Sequence, residues 1–131
     1  MFKETKNWIE SSDYDAQTAA HMLQTGRFIY VIFMCHLAIE KILKAIVQEG
    51  TGKLPNKTHD LIYLIQTAKI ILPEHLMDFI GKINNASIVT RYPEDLSKLI
   101  SSYPEQVARD YLNSTHEVIA WLKKDTRLMK L

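Results

Sequence analysis

The chain has one cysteine, four glycines and four prolines in 131 residues, and each scarcity excludes something. Cys35 alone cannot close an internal disulfide or supply a cysteine zinc cluster. It stands in an apolar run, where such a residue behaves as a small buried hydrophobe. Few glycines and prolines leave few breaks, and no alternating run with hairpin signals occurs, so strands are not expected. A formal net charge of +1 gives no general field toward nucleic acid or membrane, and any anion recognition must be local. The uncharged stretch Phe28 to Ile39 is too short to cross a bilayer. The start, Met1-Phe2-Lys3-Glu4, lacks the layout of a signal peptide, so a reducing cytoplasm is the expected location. Gly-rich phosphate loops, Gly-x-Ser-x-Gly and His-Glu-x-x-His are all missing.

What is present reads as one all-α domain over residues 1–131, an antiparallel up-and-down bundle of four to five helices. The apolar fraction of 47% suffices for one core at this length. The first helix is expected from about Glu4 to Thr25, with Trp8, Ser12, Ala16, Ala19 and Leu23 at helical spacing and Gly26 as its stop. The second, Arg27 to Gln48, is apolar on most sides and ends at the Gly50 and Gly52 pair. Its His36, Glu40, Lys44 and Gln48 recur every four residues and form one narrow polar line. A helix so apolar belongs at the centre of a bundle, and the line is expected to be its only strip left for water, partner or ligand. Glu40 and Lys44 are in the favourable i,i+4 order. His36 and Glu40 could supply two metal ligands, but two are not a site, and no metal or other cofactor is expected.

After the loop Thr51 to Lys57, Thr58 is expected to cap a third helix carrying Leu61, Leu64, Ile65 and Ala68 on one face. Pro73 suits the first turn of a fourth, with Leu76, Phe79, Ile80 and Ile83 in line, ending near Arg91 or Tyr92 because Pro93 follows. A polar, partly irregular link runs to Ser102. Ser102 and Glu105 then match a capping box for the last helix, whose stripe runs from Val107 through Leu122.

Three constellations carry candidate chemistry. His59 and Asp60 are either a capped helix start or one wall of a pocket with a titratable imidazole. Arg91 and Tyr92 are either a helix end with a packed ring or a phosphate and base recognition pair. Arg109 and His116, seven residues apart, share a face of the last helix. They are either solvated polar residues or a phosphate clamp with a general acid or base.

The chain resembles the HEPN domain (higher eukaryotes and prokaryotes nucleotide-binding). The resemblance rests on Trp8 with the small-residue first helix, Gly26-Arg27-Phe28 and the run His36-Leu37-Ala38-Ile39-Glu40-Lys41-Ile42-Leu43-Lys44-Ala45. It continues through Thr58-His59-Asp60-Leu61, Thr90-Arg91-Tyr92-Pro93 and the closing helix with Trp121. It implies a helical bundle, a homodimer and, for small prokaryotic members, a minimal nucleotidyltransferase partner in a toxin–antitoxin-like module. Many such proteins are metal-independent ribonucleases built on Arg-x(4–6)-His across a dimer. Counted from Arg91, the corresponding positions are Leu96, Ser97 and Lys98.

The leading expectation is therefore a nucleotide- or partner-binding module. Arg91 would hold phosphate, Tyr92 would stack or hydrogen-bond, Lys41 or Lys44 would add charge, and His59 and Asp60 would orient the ligand. The alternative is an RNA endonuclease using Arg109 and His116. A third reading gives the polar line of the second helix to dimerisation alone. Tyr92 and Tyr103 are the first tyrosines expected to be open to modification.

Overall fold

The computed structural model describes residues 1–129, and these form six α-helices and one 3₁₀ turn, Thr126–Leu128. The helices are α1 (Lys3–Gln24), α2 (Phe28–Thr51), α3 (Leu61–Ala68), α4 (Glu74–Arg91), α5 (Leu96–Ser102) and α6 (Glu105–Leu122). The all-helical expectation holds, but the count is six rather than four or five. The difference is the link before Ser102, which is a seven-residue helix rather than irregular chain. Asp95 caps it by accepting from the Lys98 amide at 3.1 Å, and Leu99 turns inward.

Helix α2 is the axis of the molecule and packs on α1, α3, α4 and α6. Val31, Ile32, Ile39, Ile42, Leu43 and Ile46 on it are all fully buried, each contributing roughly 1.5–3 kcal/mol. Helix α1 runs antiparallel to it. Phe2 N donates to Glu49, the Lys44 ammonium lies over Trp8, and Ser12 Oγ donates to the Ala38 carbonyl at 2.7 Å. The small Ser12 and Ala19 are what allow this close approach. Helix α4 is also antiparallel to α2, placing Asn84 against His36 and Arg91 against Phe33.

Gly26 and Gly52 end α1 and α2 in left-handed backbone, φ 77° and 73°, as only glycine does without strain. Gly50 lies within α2 instead, and its bare Cα admits Arg127, since an added Cβ would meet that side chain at 3.3 Å. The cap of α3 is Asp60, which accepts from Ile62 N and Tyr63 N; Thr58 accepts from Asp60 N one step earlier. The Ser102–Glu105 capping box does not form. Ser102 closes α5, bonding back to Lys98 O, and Pro104 takes the N-cap position of α6. Pro73 likewise precedes α4 as its N-cap rather than sitting in the first turn. No helix of the described residues is long and apolar enough to cross a membrane.

Candidate functional site

The polar line of α2 is not open to solvent. His36, Glu40, Lys44 and Gln48 are all buried, because α1, the chain before α3, and α4 close over them. Glu40 is the hub: one carboxylate oxygen accepts from Lys44 Nζ at 3.1 Å, the other from His59 Nδ1 at 2.7 Å. Lys44 completes its surroundings with the Trp8 ring, 5.5 Å from its ammonium. Both oxygens of Glu40 are thus engaged by the chain itself. Lys44 is turned to Glu40 and Trp8. Lys41 faces α1 and pairs with Asp15 at 2.6 Å.

Asn84 joins three helices. Its Oδ1 accepts from Leu61 N at 3.1 Å and faces His36 Nε2 at 3.4 Å; its Nδ2 donates to Asp60 Oδ1 at 3.2 Å. The acceptor role of Oδ1 puts the His36 proton on Nε2 and leaves Nδ1 without a donor, 4.0 Å from Glu40. Burial pushes the His36 pKa below its ordinary 6.5. Glu40 and Asn84 oppose the shift, and Arg91 and His59 reinforce it. The folded protein thus takes up this proton less readily than the unfolded chain. Stability is fully present above about pH 6.5 and is lost as pH falls below it. The urea midpoint is expected to fall between about pH 7.5 and about pH 5.5. His36→Gln should flatten that dependence, and an unchanged slope in the variant would refute the assignment.

Four of the sequence-predicted residues meet in one hollow. His59 and Asp60 from the start of α3, and Arg91 and Tyr92 from the end of α4, line a cavity of about 260 Å³ with Asn84, Ser87 and Ile88. The Arg91 guanidinium stacks 4.8 Å from the centre of the Phe33 ring and has no carboxylate partner among the described residues. Its Nε is buried and unpartnered. Tyr92 is 73% exposed, so it does not pack against the bundle. His59 is held at Nδ1 by Glu40, which leaves Nε2 at the exposed edge of the ring. Asp60 spends Oδ1 on Ile62 N, Tyr63 N and Asn84 Nδ2. The hollow can hold an anionic group on Arg91, a planar group against Tyr92, and hydrogen-bond donors on His59 and Asp60.

Asn84 and Ser87 line the hollow as well, and the sequence reading did not single them out. A signal existed: both are polar residues one and two turns beyond Ile80, on an otherwise apolar stripe. Tyr103 is half-buried with its ring 6.2 Å from that of Tyr111, and burial raises its pKa, so the residue is less open to solvent than Tyr92.

Arg109 and His116 are exposed on α6 but are engaged differently. Arg109 reaches Glu105 at 3.7 Å. His116 lines a shallow groove against α1 with Asp13, Gln17 and Lys123, in which Arg109 takes no part.

Comparison with known proteins extends these observations. No curated protein matches the chain. The solved structure of TT1696 from Thermus thermophilus superposes with a TM-score of 0.81 at 20% identity, covering 94% of this chain and 98% of that one. ST0689, described as an archaeal HEPN homologue, gives 0.75 at 17% identity over 93% and 97%. At such identities the likeness is one of fold. The family profile described as HEPN domain matches residues 5–125, nearly the whole bundle and every residue of the α3–α4 hollow. The chain belongs to the HEPN domain family.

Proposed function

We propose that this protein is a nucleotide-binding module acting as a homodimer with a minimal nucleotidyltransferase in a toxin–antitoxin-like pair. The observation that carries the nucleotide reading is Arg91: a guanidinium stacked on Phe33, with an unpartnered Nε and no ion-paired carboxylate among the described residues, in a hollow with an exposed tyrosine. A cation left without a counter-ion beside a cavity favours an anionic ligand, and the stacked guanidinium is fixed before the ligand arrives. Tyr92 supplies a ring face for a base.

Assembly is supported by a second feature. Ile88 and Val89 line one open groove beside the hollow, and Tyr30, Leu96 and Ile100 line another to which α5 also contributes, with all five side chains exposed. Grouped apolar side chains of this kind mark contact surfaces more often than they mark bare surface.

Titration calorimetry with nucleotides tests the proposal. Arg91→Ala should weaken binding tenfold to hundredfold, the roughly 1.5–3 kcal/mol of hydrogen bonds to a charged group. Arg109→Ala should leave binding unchanged. Equal affinity of wild type and Arg91→Ala would remove the pocket from consideration.

A further inference from the structure

We infer that the α3–α4 hollow selects a ribonucleoside monophosphate, with Arg91 on the single phosphate and Asp60 and His59 accepting from the sugar hydroxyls. This rests on the reading of the hollow as a nucleotide site and specifies the nucleotide.

The argument begins with what the lining atoms have left to offer. Asp60 Oδ1 receives three donors from the protein, while no donor among the described residues reaches Oδ2. His59 Nδ1 is committed to Glu40, so in the neutral ring Nε2 is an acceptor. With the imidazole neutral, two adjacent residues present two free acceptors to one hollow. A phosphate, itself all acceptors, cannot satisfy them. A pair of neighbouring hydroxyls can, and the ribose of a ribonucleotide carries such a pair. Buried Glu40 holds the imidazole by a short bond and Asn84 holds the carboxylate, so both acceptors are oriented in advance.

Charge sets the number of phosphates. Among the described residues lining the hollow, Arg91 is the one permanent cation, and Asp60 is a carboxylate facing the same hollow. The groove beyond Tyr92 carries Glu94 and Asp95 against a single Lys98. A first phosphate has a partner here, whereas second and third phosphates would add negative charge near carboxylates with no further arginine to meet it. Size agrees. About 260 Å³ lies just below the roughly 300–1,000 Å³ of sites that enclose drug-sized ligands, so one nucleotide unit is the appropriate scale.

The test uses the full chain and calorimetry without added divalent cation. The probes are the four ribonucleoside 5′-monophosphates, their 2′-deoxy forms and the matching triphosphates. At least one ribonucleoside monophosphate should bind about tenfold tighter than both its deoxy form and its triphosphate. Asp60→Asn keeps the α3 cap, because asparagine caps as well as aspartate, but replaces the free acceptor by a donor and removes the charge. In that variant the preference for ribose should shrink and triphosphate affinity should rise. Circular dichroism confirms that the variant is folded. Deoxynucleotides or triphosphates binding as well as the ribonucleoside monophosphate would overturn this inference and leave the nucleotide site standing. No binding by any nucleotide would overturn both.

Discussion

Replacing Glu40 by alanine is expected to cost roughly 3–5 kcal/mol of folding stability. That is a large share of the roughly 5–15 kcal/mol that holds a domain of this size together. The substitution strands the ammonium of Lys44, a residue 7% exposed, without its carboxylate partner and frees His59 from Glu40. The sign of a second substitution separates charge from packing. Replacing Glu40 and Lys44 together by apolar residues of similar volume removes both charges, and most of the lost stability should return. Urea unfolding of the single and double variants measures this. A single variant that loses less than about 1 kcal/mol would mean that the pair is solvated and the burial assigned to it is wrong.

Asn84→Ala is the second large effect. It leaves the Leu61 amide and His36 Nε2 without an acceptor and takes a donor from Asp60. Buried donors without partners cost roughly 1–3 kcal/mol each, so a loss of about 2–6 kcal/mol is expected. The signature is local as well as global, because the Leu61 amide should exchange its hydrogen much faster once Asn84 is gone. Asn84→Asp keeps the acceptor but sets a carboxylate beside Asp60 Oδ1, and should recover stability as pH falls and one of the two is protonated. An alanine variant with an unchanged exchange rate at Leu61 would show that the asparagine does not bridge the helices.

These two positions also mark how far the sequence can be read. The long helices were legible because α1, α2, α4 and α6 carry apolar spacing over four turns or more and end at Gly26, Gly52 and Pro93. Helix α5 was not, because seven residues with one buried leucine give no period to read. The two misread caps have a shared cause. Thr58 and Asp60 are both competent N-caps that local chemistry does not rank, and Ser102 is by residue type a better cap than Pro104, which takes the position. The packing of Leu61 against the core, and the folding of Leu96–Ser102 into its own helix, made the choice.

The candidate site divides in the same way. Residue chemistry marked His59, Asp60, Arg91 and Tyr92, because a titratable imidazole beside a carboxylate and a guanidinium beside a phenol can recognise anions and bases. It also marked Lys41 and Lys44, which the fold assigns to Asp15 and Glu40. A lysine on a helix has several acid neighbours within reach, and which one it meets depends on the helix packed beside it.

By itself, then, the sequence determined the helical class, the central place of α2 and the two turns from which the hollow is built. Those follow from periodicity and backbone restriction, which act within a few residues. Only the tertiary structure decided that the polar line of α2 turns inward, that Glu40 and Asn84 hold the acceptors of His59 and Asp60 in place, and that Arg91 is the cation left over. Charge pairing and hydrogen bonding across helices depend on distances between residues 19 to 48 positions apart, and those distances exist only once the bundle has closed.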